Sequence, residues 1–181
     1  MMSTEAQLDY GRIRLLPAGP EHLAAWKSFM QDPEVMQYIF GGWNPGDPEL
    51  SDLLARNVHL WTRHHHGWWS VVERESGEII ANCVLDVSCT GPSEIGYIIR
   101  RDSWRKGFGT EIVKCLCRYA FDHDHIAAVK AYVNVDNLGS IRILERLGFA
   151  RVSDAVFSGR PCINFGLNRE RYALIAGAVA P

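Results

Sequence analysis

Apolar residues recur along this chain with two different periods, and each change of period marks the edge of an element. The stretch IRLL at 13–16 reads as a first strand. Beyond Gly19 and Pro20, Leu23, Trp26 and Met30 return at helical spacing. A second helix is better marked: Leu50, Leu53, Leu54, Val58 and Trp61 keep to one stripe, Pro48 suits a first helical position and Asp47 suits a cap. Between these helices lies YIFGGWNPG, a loop of aromatics and turn formers.

WWSVV and IIANCVLDV, parted by ERESGE, read as an antiparallel hairpin, and EIGYIIR adds another strand, so three strands follow one another before any helix intervenes. After SWRKGFGT, Ile112, Leu116, Ala120 and Phe121 share the buried stripe of a helix, and the strand AAVKAYVNV follows. In NLGSIRILERLGF, Ile141, Leu144 and Leu147 fall on one face, Arg142, Glu145 and Arg146 leave it, and Gly148 stands where a left-handed cap ends a helix. FARVSDAVF and CINFGLN, split by Ser158-Gly159-Arg160-Pro161, read as two closing strands. The order β, α, α, β, β, β, α, β, α, β, β predicts an α/β chain (an α+β mixed sheet) with helices on both faces.

Composition narrows the class. A chain of 181 residues, 47% hydrophobic and 22% charged, has the makeup of a globular protein, and its length favours one domain over 1–181. No apolar run approaches the ~18 residues of a membrane span; the tail ALIAGAVAP is a docked or frayed end. MMSTEAQLDYGR sets two acids before any base, which is unlike a signal peptide and points to a cytoplasmic protein. Five cysteines without a CxxC pair are expected to be reduced thiols. Cys115 and Cys117 aim about 200° apart around a helix, so buried packing rather than metal binding is expected of them, and no metal is expected elsewhere. A net charge of −2 points to neither nucleic acid nor membrane, and oligomeric state is not legible. Locally, Arg100 to Lys114 sets five bases against two acids.

That basic stretch surrounds a GxG turn. A P-loop needs GxxxxGK before Ser or Thr, and the chain contains none. A dinucleotide fingerprint needs a third glycine where Ile112 stands, and three strands precede the turn where a βαβ unit would begin. What remains is a short turn leaving the amides of residues 105 to 110 unpaired at a helix start beside cationic side chains, which suits a pyrophosphate.

The succession EIGYII, SWRKGFGTE and NxxNxxSIRILERLGF closely resembles the GNAT superfamily of acyl-CoA-dependent N-acyltransferases, in particular its ribosomal-protein-alanine N-acetyltransferase (RimJ/RimL-like) branch. RLLPAGPEHLAAWKSFMQDPEVMQYI and WWSVVERESGEIIANCVL resemble the branch's N-terminal segment and central hairpin, so the likeness covers nearly the whole chain. The resemblance implies a mostly antiparallel sheet splayed at its fourth and fifth strands. It also implies acetyl-CoA as co-substrate, with its pyrophosphate on the amides of Arg105, Lys106, Gly107, Phe108, Gly109 and Thr110. The strand EIGYIIR would carry a bulge and offer backbone groups of Ile98 and Ile99 to the pantetheine arm and the thioester oxygen. Asn137 would hydrogen-bond the pantetheine, cap the following helix, or do both. Where the superfamily has Gln or Arg before the glycines this chain has Trp104, a departure the branch shares.

The same resemblance implies transfer to a primary amine of a peptide or small molecule by direct attack in a ternary complex. Freeing the lone pair of an α-amine at pH 7 costs roughly 1 kcal/mol and that of a lysine roughly 4.6, so an α-amine acceptor needs little help from a base. Glu94 is the first candidate base, directly or through water; the other reading of it is a strand-edge carboxylate paired with an arginine. Asp86 and Tyr97 stand in reserve. The leaving thiolate, near the acidity of cysteine, needs only a hydrogen-bond donor; many superfamily members use a tyrosine where this chain has Leu144, and in the branch a serine is placed to serve, matched by Ser140, which could otherwise only bond the turn backbone. Cys83 has no cation or helix start to activate it as a nucleophile. His64, His65 and His66 read as a solvated helix end, and His123 and His125 flank a turn. Trp43, Trp61, Trp68 and Trp69 could line the acceptor side or fill core. An acyl-CoA binding or sensing module without catalysis is the other class the pattern allows.

Overall fold

The computed structural model describes residues 7–39, 41–64, 66–88, 90–123 and 126–177. The expectations placed on Cys89, His65, His125, the His123 side chain and the end of the tail therefore lie outside the described residues. The elements run β1 (Leu8–Tyr10), β2 (Ile13–Pro17), α1 (Leu23–Met30), α2 (Pro33–Met36), α3 (Asp47–His64), β3 (Trp68–Glu73), β4 (Ile79–Asp86) and β5 (Ser93–Ile99). There follow α4 (Phe108–Arg118), β6 (Ala128–Asn134), α5 (Leu138–Arg146), β7 (Ala150–Phe157), β8 (Arg160–Asn168) and α6 (Arg169–Gly177). Every element that periodicity marks is present. The additions are β1, α2 and α6, which are too short or too evenly mixed to show a period. β1 exists because Leu8 to Tyr10 pair with Leu15 to Ile13, and α2 because Asp32 accepts the Glu34 amide at 2.9 Å and Pro33 follows it.

The eight strands form one open sheet in the order β1-β2-β3-β4-β5-β6-β8-β7. Neighbours are antiparallel except β5 and β6, which touch only at Ser93–Val129 and Glu94–Lys130. Beyond Lys130, β6 continues in register with β8 while β5 stays with β4, and the two part. This is the expected splay. The expected bulge in β5 is absent, because its register against β4 is unbroken from Asp86–Glu94 to Ala81–Ile99, and an irregularity lies instead at Val71/Val72 between β3 and β4. Parallel strands joined through a helix can diverge without one, since no tight turn ties them together.

One face of the sheet carries α1, α2 and α3, whose Trp26, Phe29, Met30, Met36, Leu50 and Leu54 pack with Ile98 of β5. The other carries Ile112, Val113 and Leu116 of α4 and Ile141 and Leu144 of α5 against Val71, Ala81, Ile95 and Phe165. Trp61 and Trp69 belong to this second core, edge to face at 4.8 Å, and Trp43 and Trp68 both pack on the first; of the four tryptophans in question Trp68 is the one that also lines a cavity. The buried Asn57 staples α3 to β3: it donates to the carbonyls of Ala18 (2.8 Å) and Trp68 (2.9 Å) and accepts the Trp68 amide (2.8 Å). A Cβ at Gly67 would lie 2.5 Å from the Asn57 Oδ1, so the chain turns there without a side chain, at φ +153.

Asp47 does not act as a cap. Its carboxylate is taken by Lys27 (2.5 Å) and Gln31 (3.0 Å), tying the start of α3 to α1. Gly148 behaves as expected: with φ +81 it ends α5, its amide bonding Glu145 and that of Phe149 bonding Leu144, the paired bonds of a Schellman motif. The last hairpin turns on Ser158 and Gly159 alone, both at positive φ as a type I′ turn requires, so Arg160 and Pro161 join β8.

Candidate active site

Where β5 leaves β6, two cavities meet. The first, about 630 Å³, runs from the GxG turn past β5 to the start of α5. Among the described residues, no protein group accepts the amides of Arg105, Lys106, Gly107, Phe108 or Gly109. The Thr110 amide is different: it bonds the Gly107 carbonyl at 3.1 Å, because the helix closes its first turn there, and so drops out of the expected donor set. Gly107 sits at φ +90 and caps α4, which is the conformational reason for a glycine. Gly109 has another reason. A Cβ on it would stand 2.8 Å from Ile143 and 3.4 Å from Ile99, so its lack of a side chain lets α4 close on α5 and β5. Arg105 also lies at positive φ, 59°, a conformation costly for a residue with a side chain and concentrated at functional turns.

The turn is held from behind by residues the motif does not reveal. Arg12 donates to the Lys106 carbonyl (2.8 Å) and to Glu111 (2.8 and 2.5 Å), and its guanidinium lies 4.6 Å from the centre of the Phe108 ring. Engaging the Lys106 carbonyl on the rear side leaves the neighbouring amides facing the cavity. Trp104 supplies a polar contact of its own, its indole N–H donating to the Ile99 carbonyl at 2.7 Å.

Ile98 and Ile99 part company. The Arg100 amide bonds the Ile80 carbonyl at 2.8 Å, and alternation along the unbroken β4–β5 ladder turns the backbone of Ile98, Gly96 and Glu94 toward β4 and that of Tyr97 and Ile99 toward the gap. The Ile98 backbone is thus spent on the sheet, and Tyr97 takes the place expected of it. The Tyr97 hydroxyl donates to Ser140 Oγ at 3.0 Å. Burial, only partly offset by that bond, raises its pKa, which keeps the hydroxyl protonated and donating to Ser140. Asn137 caps α5 by accepting the Ser140 amide at 3.2 Å, leaving its own amide hydrogens for other use. Tyr97, Asn137 and Ser140 line both cavities.

The second cavity, about 510 Å³, holds Glu94 and Asp86 on its wall with Trp68, Tyr132 and Phe157. Burial raises the Glu94 pKa, Lys130 opposes that shift and Asp86 adds to it. Its partner is Lys130 at 3.8 Å, not an arginine. His66 also lines this cavity, its ring 5.7 Å from that of His64, and of these two His64 is the solvated helix end. Cys83 is fully buried and its thiol pKa is raised well above the usual value, while burial pushes Cys115 and Cys117 to about 12, so all three are packing residues.

A parted sheet with a glycine turn at one end of the gap and a half-buried carboxylate at the other has the parts an acyl-group transferase needs. A family model described as an acetyltransferase (GNAT) domain matches residues 12–150. The uncharacterized N-acetyltransferase p20 of Bacillus licheniformis is 28% identical over 125 residues, which is 68% of this chain and 70% of that protein. Ribosomal-protein-S5-alanine acetyltransferase from Vibrio fischeri shares the fold with a TM-score of 0.72 at 14% identity, over 92% of this chain and 98% of its own. The aminoglycoside acetyltransferase AAC(6')-Ib, in complex with coenzyme A, does so with a TM-score of 0.73 at 16% identity, over 90% and 98%. This chain belongs to the GNAT acetyltransferase family and is an acetyltransferase; the acyl donor of that family is acetyl-CoA.

Proposed function

We propose that this chain is an acetyl-CoA-dependent N-acetyltransferase of the RimJ/RimL-like branch, acetylating a primary amine of a peptide or a small molecule by direct attack in a ternary complex. One observation carries the reading: the groove with free turn amides and the chamber with the half-buried Glu94 open into each other at Tyr97 and Ser140.

In this reading the amides of residues 105 to 109 bind the coenzyme pyrophosphate, with Arg105, Arg142 and Arg146 on the same walls. Asn137 donates from its side-chain amide to the pantetheine arm. Bound acetyl-CoA supplies an activated acetyl group as a thioester. Tyr97 and Ile99 present the backbone amides that face the gap, and one of them stabilises the charge gathering on the carbonyl oxygen. Glu94 removes the proton from the acceptor nitrogen, directly or through water, as the C–N bond forms and the C–S bond breaks. Ser140, whose oxygen already accepts from Tyr97, donates a hydrogen bond to the departing sulfur, which leaves as a thiolate; at an acidity near that of cysteine it needs no more than a hydrogen-bond donor.

Thiol release from acetyl-CoA over a panel of primary amines, with mass detection of the product, tests the proposal. Transfer to an amine nitrogen, slowed in Ser140→Ala with coenzyme affinity kept, is the expected result. Coenzyme binding without thiol release from any amine would reduce the chain to an acyl-CoA binding module.

A further inference from the structure

The acceptor chamber differs in charge from the coenzyme groove, and the difference selects among amines. Among the described residues lining the chamber, Asp86 and Glu94 carry formal charge at neutral pH, and no Lys or Arg joins them. Lys130 and Arg160 stand outside the wall, the first held by Glu94 at 3.8 Å and the second by the Gln37 carbonyl at 3.0 Å. His66 is the remaining nitrogen base on the wall.

The two carboxylates lie directly opposite each other across the β4–β5 ladder, an arrangement of like charges that disfavours the strand pair; Lys130 offsets Glu94, and among the described residues no ion pair offsets Asp86. Around them the surface is apolar and aromatic: Tyr38, Ile39, Leu60, Trp68, Tyr132 and Phe157. Tyr132 and Phe157 are stacked at 5.5 Å, and Leu60 remains 41% exposed, leaving an uncovered apolar contact in the cavity.

Resting on the acetyl-transfer reading, we infer that the acceptor is a primary ammonium carried on an uncharged, apolar or aromatic body, with no carboxylate beside the amine. The carboxylates receive the ammonium, and the aromatic wall receives the body. A free α-amino acid is rejected because its carboxylate would enter beside Asp86 and Glu94, where the nearby cation, Lys130, is already paired with Glu94. A polyamine is disfavoured because its further charges would lie against apolar surface. An arylalkyl amine and an apolar peptide N-terminus share the accepted chemistry.

Matched pairs test this on the coenzyme A-saturated protein. Calorimetric binding of phenylalanine amide, phenylalanine, phenethylamine, a C-terminally blocked dipeptide beginning with phenylalanine, and spermidine is measured beside thiol release from acetyl-CoA. Phenylalanine amide should bind at least tenfold more tightly than phenylalanine, and spermidine should bind more weakly than the amide. The dipeptide against phenethylamine reports whether a peptide or a small molecule is the better source of that chemistry, and tight binding of either supports the inference. Asp86→Asn, an exposed position, should weaken the amide about fivefold and leave coenzyme affinity unchanged. Phenylalanine binding as well as its amide, or spermidine binding best, overturns the inference even if acetyl transfer is observed. Tight amide binding with no thiol release overturns acetyl transfer and leaves the charge selection standing.

Discussion

The groove and the chamber share wall residues, Tyr97, Asn137 and Ser140 among them, yet are built by opposite means. At its turn the groove is backbone: five consecutive amides without a protein acceptor, at a left-handed glycine and braced by Arg12, with Arg105, Arg142 and Arg146 on the surrounding walls. The chamber is side chains drawn from widely separated elements: Tyr38 after α2, Leu60 of α3, Trp68 of β3, Asp86 of β4, Glu94 of β5, Tyr132 of β6 and Phe157 of β7. A diphosphate presents the same oxygens in every coenzyme molecule, so peptide groups in a fixed turn suffice to hold it. An acceptor is distinguished by charge and shape, which only side chains express. The division lets acceptor choice change through chamber residues without disturbing the coenzyme turn.

Substitutions that strike one half should leave the other intact, and the largest effect is expected in the chamber. Glu94→Gln should lower kcat by about 10²–10⁴-fold, the range of general base catalysis, with the affinity for acetyl-CoA unchanged. Because burial raises the Glu94 pKa, the native rate should climb with pH through that elevated value as the carboxylate becomes free to accept a proton, and the variant's pH profile should lose this limb. The same shift acts on stability with a defined sign. The folded state holds the proton more tightly than the unfolded one, so stability falls as pH rises from the ordinary value of 4.5 through the raised one, and Glu94→Gln should flatten that fall in a melting series. A flat profile in the native protein would remove Glu94 from the chemistry.

On the groove side, acetyl-CoA at 100 times its dissociation constant should stabilise the native chain by about 2.7 kcal/mol. Gly107→Val, which forces a branched side chain into positive φ at a cost of about 1–2 kcal/mol, should remove that stabilisation. A retained melting shift would move the phosphate site elsewhere.

Arg12→Ala should be milder, raising the acetyl-CoA dissociation constant about three- to tenfold while acceptor KM is unchanged. Arg12→Lys should recover little, since one ammonium cannot serve both the Lys106 carbonyl and Glu111. Equal loss of acceptor and coenzyme affinity would mean that Arg12 is only structural. The smallest effect is assigned to Trp104→Phe, which deletes a single exposed hydrogen bond to Ile99 and should cost about 1 kcal/mol, read as a lower melting temperature.

The lining of the groove is largely legible in the sequence because its information is contiguous. Arg105 to Gly109 stand in one motif, and Asn137 and Ser140 in another. The errors there are errors of phase. The motif alone counts Thr110 among the free amides although the first helical turn consumes it, and the family resemblance turns Ile98 to the gap that Tyr97 faces, because nothing local tells which of two adjacent residues bonds β4. Arg12 left no sequence signal, since its contacts with Lys106 and Glu111 cross 94 and 99 positions.

The chamber was barely legible. Glu94 stood out as a carboxylate at a strand edge, but Asp86 was only a reserve base, His66 read as solvated, and Trp68 could not be told from the core residues Trp61 and Trp69.

The sequence by itself determined the main elements, their order and the turn chemistry, because hydrophobic period, caps and glycine positions act over a few residues. Tertiary structure alone decided that β6 leaves β5 after two pairs, that two carboxylates face each other inside an aromatic chamber, and that an arginine near the N-terminus braces a turn near the middle of the chain. Those outcomes depend on packing between segments far apart in sequence, where side-chain volume and strand register settle together and no local pattern carries the answer.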